Sequence, residues 1–332
     1  MNYELIWLIS INRGVEVKEG GRQSLNIKEI LLARHKLLRD IREFFYSRDY
    51  LEVETPNMMK TAPPDPYIDP LEVSANGAGL FYLHTSPEMH MKRLLRNGVD
   101  KIFQICKVYR IEEFEDVHNT EFTMLEWYRK GMYEDALEET AHLVETVTGK
   151  KRPYMVYELE RLIVDSAGIN PFQDRDRFYA ALKEKGFAGI DEKDTWNDLF
   201  FKLFIQEIEP KLDKSAPYFV KDWPVSISTM AKRKDKNKVE RFELYMEGLE
   251  IANGYTELLD PVEQKARFIN DNIERVRLGK KTFEIDEDFI EALSLLEDSY
   301  TGVSLGIDRL LMVITGKRTI DEVLVDRVLC KA

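Results

Sequence analysis

Cysteine is almost absent from this chain: Cys106 and Cys330 are the only two in 332 residues. Two distant thiols and five scattered histidines build neither a disulfide framework nor a zinc site. Long apolar runs are also missing. The one near the N-terminus, Leu5 to Ile11, is too short to span a bilayer and lacks the basic flank of an export signal. These absences predict a protein of the reducing cytoplasm with no membrane segment. Positive charge is in deficit, 48 Lys and Arg against 60 Asp and Glu, so the chain as a whole repels nucleic acid, and tRNA binding is not expected. The dense basic cluster from Ala231 to Arg241, AKRKDKNKVER, reads as a solvated hairpin tip. Neither Gly-x-Gly-x-x-Gly nor Gly-x-x-x-x-Gly-Lys-Ser/Thr occurs, which argues against a dinucleotide fold and a P-loop.

What is present is enough apolar residue, 44%, for a sizeable core. Apolar residues recur at helical spacing from Ile27 to Tyr46. Tyr50 to Pro56 then alternates as a short strand ended by its proline. Four prolines in residues 63 to 70 predict an irregular loop. Ser86 reads as the N-cap and Pro87 as the first residue of a helix that carries Met91, Leu94 and Leu95. Lys101 to Arg110 and Glu121 to Tyr128 read as strands. Helical patterns occupy about 133 to 148, 176 to 185, 196 to 207 and Pro261 to Leu278. Phe242 to Ala252 has strand character, with a turn expected at Asn253-Gly254. Gly302 to Gly306 reads as a glycine-bracketed turn into an apolar helix. No repeat, low-complexity tract or long linker divides residues 26 to 332. Strands and helices without regular alternation favour an α+β fold on a mostly antiparallel sheet.

Three segments carry candidate chemistry. Arg309 stands at a helix mouth, where a permanent cation suits phosphate, although Asp308-Arg309 also fits a plain surface pair. Arg110 and Phe122 are brought together by a hairpin, so a guanidinium can bridge phosphate oxygens while a ring stacks on a purine. Against that, Arg110 could pair with Glu112 or Glu113, and Phe122 could be core. Glu126 and Tyr128, two apart on a strand, share a face. Glu250 and Glu257 flank Asn253, and converging carboxylates point to a cation such as Mg²⁺ on ATP phosphates. Glu247 reads as exposed.

Taken together these residues resemble the class II aminoacyl-tRNA synthetases, in particular the lysyl branch. Glu52-Val53-Glu54-Thr55-Pro56 is similar to motif 1, Arg110 to Tyr128 to motif 2, and Gly302 to Leu311 to motif 3. Thr85 to Glu88 and Glu250 to Leu258 look like lysine-pocket signatures. The resemblance covers about residues 27 to 325. It implies an antiparallel sheet of six or more strands flanked by helices, and a homodimer built on motif 1. Carried over, Arg110 and Arg309 would be the catalytic arginines, on the α- and γ-phosphates. Glu112 and Asn119 would contact the adenosine, Phe122 the base and His118 the triphosphate tail, with Ile251 and Gly306 completing the ATP site. Glu250 and Glu257 would hold Mg²⁺. Ser86, Pro87, Glu88, Glu126, Tyr128, Asn253, Glu257 and Ser304 would form the lysine pocket, with Glu88 on the backbone-side ammonium.

Only about 25 residues precede the motif 1 helix, too few for the anticodon-reading barrel of a lysyl-tRNA synthetase, and they resemble neither group's core. The arrangement resembles instead the stand-alone paralogs that activate lysine or (R)-β-lysine with ATP and attach it to a lysine side chain of elongation factor P. A minimal synthetase charging tRNA, and a silent regulator that binds ATP or an amino acid, are the alternatives. Ser304, where the tRNA enzymes carry glycine, and Trp127 favour the paralogs. Ile111 in place of asparagine, Thr120 in place of proline and the tail from Val325 to Cys330 depart from the usual pattern.

Overall fold

The protein is described by a computed structural model covering residues 26–325 apart from 76, 78, 112–115, 152, 213 and 298. The expectations for residues 1–25, Glu112, Glu113 and Cys330 lie outside it. Helix α1 spans Ile27–Tyr46, as its periodicity predicts. Asn26 opens it with a reciprocal capping box: its side chain accepts from the Glu29 N–H at 3.1 Å and its own N–H donates to Glu29 at 2.8 Å. The buried stripe Ile30, Leu37, Ile41, Phe44 and Phe45 faces the sheet, with Phe45 stacked on Phe103 at 4.8 Å.

The strands are β1 Leu51–Glu52, β2 Met58–Met59, β3 Glu72–Ala75, β4 Gly79–Leu83, β5 Lys101–Tyr109, β6 Glu121–Lys130, β7 Met155–Glu158, β8 Tyr218–Lys221, β9 Arg241–Met246, β10 Leu249–Thr256 and β11 Tyr300–Gly306. Eight form one sheet in the order β1-β5-β6-β11-β10-β9-β8-β7, and β2-β4-β3 form a small second one. Only β1 with β5 and β7 with β8 run parallel. The expected mostly antiparallel sheet is therefore present.

Successive side chains on a strand take opposite faces. One face carries Phe103, Leu125, Trp127, Phe242, Val303 and Leu305, all buried. They pack in one core with residues of α1, of α3 (Tyr133–Thr148) and of α9 (Ile307–Thr315). Around β8, a second core draws on α4 (Leu159–Ala167), α5 (Arg175–Glu184) and α6 (Trp196–Leu203). Of two further helices, α8 (Glu287–Leu293) packs against α2 (Glu88–Leu95), and α7 (Pro261–Arg277) packs against α8.

Four local expectations are corrected. The turn between β9 and β10 falls at Glu247-Gly248, with φ of 53° and 85°, the left-handed pair that a tight hairpin requires. Asn253-Gly254 lies inside β10. A Cβ on Gly254 would sit 2.6 Å from the Phe242 ring and 2.8 Å from Val303, so this glycine serves close packing. Gly302 to Gly306 belongs to strand β11, and the helix follows it directly. At α2 the cap position is Pro87, although Ser86 Oγ still accepts from the Glu88 N–H at 3.4 Å. The helical pattern from 196 ends at Leu203 and widens into a π turn over Phe204–Ile208. Residues 231–241 do form a tight turn, closed by the Arg233–Val239 bridge, with Lys234 paired to Asp222 at 2.9 Å.

Candidate active site

The face away from the α1 core carries polar side chains in register. Gln104 on β5 lies opposite Glu126 on β6, Glu126 opposite Ser304 on β11, Ser304 opposite Asn253 on β10, and Asn253 opposite Glu243 on β9. The neighbouring row runs Ile102, Tyr128, Gly302, Tyr255, Arg241. A cavity of about 440 Å³ opens over both rows, within the range that holds a small ligand. Arg110, His118, Asn119, Phe122, Glu250, Ile251, Gly306 and Arg309 line it, as do Ser86, Glu88, Glu126, Tyr128, Asn253 and Ser304. Pro87 caps α2 from a buried position. Glu257 lies beneath Gly302, where a Cβ would overlap its Oε1 and the Tyr128 ring.

Along β6, Phe122 and Glu126 are four residues apart, about 13 Å, which separates the end expected to take the nucleotide from the end expected to take the amine. At the nucleotide end Arg110 Nε donates to Thr85 O at 3.0 Å and the guanidinium stands 5.4 Å from the Phe122 ring centre. Arg309 Nη1 donates to Glu250 O at 3.0 Å, and its Nη2 lies 2.6 Å from His118 Nε2. Both arginines are thus oriented by backbone carbonyls. Asp308 is no surface residue. It is 2% exposed, meets Arg34 Nη2 at 2.5 Å and accepts from the Thr123 N–H at 2.7 Å. This carboxylate locks the mouth of α9 to α1 and β6, and so fixes Arg309 beside it.

At the amine end the carboxylates are buried. Burial, then the nearby charge of Glu88, pushes the Glu126 carboxyl up to about 8, while Tyr128 donates to it at 2.6 Å. Burial likewise pushes Glu257 up, against the attraction of Lys92. Glu257 Oε1 and Asn253 Oδ1 are buried acceptors without a hydrogen-bond partner. Orphaned acceptors in such a place call for a donor, and an ammonium supplies three.

Glu250 and Glu257 cannot share one cation: Glu250 lies near the start of β10 and Glu257 just past its end, seven residues or roughly 20 Å away, and Glu257 is paired with Lys92. The carboxylate that faces Glu250 is Glu243, pushed up by burial and, against Arg241, by the charge of Glu250. Among the described residues no cluster of three His, Cys, Asp or Glu is arranged to hold a metal. The Glu243 and Glu250 oxygens are hard donors, and a divalent ion there would need phosphate oxygens to complete its shell. Glu247 is exposed, as expected.

Sequence reasoning missed Lys92, Tyr255, Glu243 and Arg34. Lys92 was legible as the i+4 partner of Glu88, and Glu243 as the residue two positions before Tyr245 on the face that Asn253 shares. Arg34, 274 positions from Asp308, left no signal.

A profile of the tRNA synthetases class II (D, K and N) matches residues 22–325. The chain is 38% identical over 308 residues to the elongation factor P–(R)-beta-lysine ligase of Vibrio atlanticus (strain LGP32), covering 88% of this chain and 94% of the relative. It is equally 38% identical over 307 residues to the protein of the same name from Pseudoalteromonas translucida (strain TAC 125), covering 89% and 94%.

Proposed function

The chain belongs to the class II tRNA synthetases of the D, K and N group, and on that premise we propose that it activates lysine or (R)-β-lysine with ATP and transfers it to a lysine side chain of elongation factor P. The observation that carries the reading is the pairing of two ends in one cavity. Arginines oriented by backbone carbonyls stand at one end, and buried carboxylates with orphaned acceptors at the other. The relatives' shared name supplies the acceptor.

In this mechanism Arg110 holds the substrate carboxylate against the α-phosphate and Arg309 holds the γ-phosphate, with Phe122 on the base and Asn119 on the adenosine. The carboxylate attacks the α-phosphorus in line, the bond to the bridging oxygen breaks, and pyrophosphate leaves. The lysyl adenylate then acylates the acceptor amine, which loses a proton as AMP departs. Positioning and charge neutralisation carry the rate, with no covalent protein intermediate. Mg²⁺ held by Glu250 with Glu243 would neutralise phosphate charge. Glu88, Glu126, Tyr128, Asn253 and Glu257 would hold the two ammonium groups, with Ser304 on the pocket floor. A homodimer formed through α1 and β1 completes the proposal. Its support is the apolar side chains left exposed there: Ile27, Leu31, Leu32, Tyr46 and Leu51.

An acceptor competition tests it: the protein with ATP, Mg²⁺ and α-lysine or (R)-β-lysine, offered elongation factor P and lysine tRNA together. Mass spectrometry should find the lysyl group on elongation factor P. Label on tRNA would establish the minimal synthetase instead, and label on neither would leave a binding protein.

A further inference from the structure

Lys92 is 1% exposed, yet its Nζ carries a charge. It projects from α2 between two carboxylates, meeting Glu88 Oε1 at 2.5 Å and pairing with Glu257 Oε2. The two partners come from different elements: Glu88 opens α2, one turn earlier, and Glu257 follows β10. Tyr255 OH donates to the same Glu88 oxygen at 2.5 Å, and the Tyr255 ring centre stands 5.5 Å from Nζ. The ammonium is therefore a fixed part of the amine end.

Its charge matters because of what surrounds it. Glu88, Glu126 and Glu257 act electrostatically on one another and on Lys92. One resident ammonium stands among three carboxyl groups, and burial with mutual repulsion pushes Glu126 and Glu257 up to about 8, so each accepts an ammonium by giving up a proton. The other cation acting on Glu126 is Arg110, which the proposed mechanism assigns to the substrate carboxylate and α-phosphate. A substrate with two ammonium groups pairs with both carboxyls once they ionise, whereas one with a single ammonium leaves one of them protonated and unmatched.

We propose that Lys92 is a positioning residue that selects a diammonium substrate: by bridging Glu88 and Glu257 it holds the two carboxylates apart, one for each substrate amine, with its own charge beside Glu257. The inference rests on the ligase reading and deepens it. Without Lys92, Glu257 would be harder still to ionise, since the Lys92 charge and hydrogen bond oppose the effect of burial. It would then offer less to a distal ammonium, while a substrate that lacks one would be little affected. Lys92 thus acts on selectivity through Glu257 and not on the phosphoryl chemistry.

The test compares lysine with norleucine, which lacks the distal amine. Pyrophosphate exchange gives kcat/KM for each, and calorimetry gives each affinity without ATP. Lys92→Met and Lys92→Gln, the second keeping a polar head in case the first fails to fold, should each lower the preference for lysine over norleucine by at least about tenfold, the weight of one pKa unit. The change should appear in the lysine KM, with kcat moving less. A folded variant of either kind that keeps or increases the wild-type preference would overturn the assignment, since a lysine that merely holds α2 in place would weaken both ligands alike. Failure of the wild-type protein to exchange pyrophosphate with lysine would count against the ligase reading; the two calorimetric affinities would still decide the role of Lys92.

Discussion

Glu126 sits in a conflict between burial and charge that only a cation resolves. Its carboxyl is pushed up to about 8 because burial and Glu88 disfavour the anion. Below that value it holds a proton, and accepting an ammonium requires giving the proton up. Lysine binding should therefore release protons, and the dissociation constant should fall as pH rises from about 6 toward about 8. Calorimetry in buffers of different ionisation enthalpy reads the release directly; an affinity flat across that range would contradict the assignment of Glu126 to an amine. The pairing of Glu126 with Tyr128 was legible because a two-residue period puts both on one face. Glu257 was legible as a carboxylate of the site but misread as a partner of Glu250. Its partner Lys92 comes from a helix 165 residues earlier, the separation of the two paired positions, and no local pattern links them.

The two longest stretches of helical periodicity before residue 150 were read correctly. Helix α1 matches its predicted span, and α3, read as 133 to 148, is Tyr133–Thr148. Glycines misled, because a glycine that admits a neighbour looks in sequence like one that makes a turn. Gly254 and Gly302 are of the first kind, packed against Phe242 and Val303 and against Glu257 and Tyr128 respectively. The true turn uses Glu247 in a left-handed conformation, which no propensity for glutamate predicts. The junction of β11 and α9 depends on Asp308, whose two oxygens tie the helix to Arg34 and to the Thr123 N–H. Asp308→Ala would leave the buried Thr123 N–H without its acceptor and the half-buried Arg34 guanidinium with only Val323 O. We expect a loss of about 3 kcal/mol in urea denaturation, the usual cost of breaking a buried pair, with a rise in the ATP KM as Arg309 loosens. A change below about 0.5 kcal/mol, typical of a surface site, would show that the contact does not hold the helix.

At the scale of the molecule the exposed apolar edge at α1 and β1 is the surface in need of an explanation. Leu51 on β1 is 54% exposed, and Ile27 and Tyr46 on α1 are each 52%. If they are covered by a second copy, Leu51→Arg should halve the sedimenting mass at micromolar concentration while leaving the far-ultraviolet spectrum unchanged. A wild-type protein that already sediments as a monomer would remove the dimer from the proposal. The overall class was legible from the irregular order of strands and helices, but the strand order was not, since pairing between distant segments leaves no local trace. That order has a consequence in time. The sheet runs β6-β11-β10, so its middle is filled by the last strand to be synthesised among the described residues, with Ser304 and Gly302 on it. Until β11 arrives, β6 and β10 present bare edges to each other across a slot one strand wide, and such edges invite other strands. The pocket comes into being only when that slot is closed from the end of the chain. A nascent chain that stops short of β11 would thus lack Val303, Leu305 and the α9 residues of its main core, and would be vulnerable to aggregation and unable to take up its substrate.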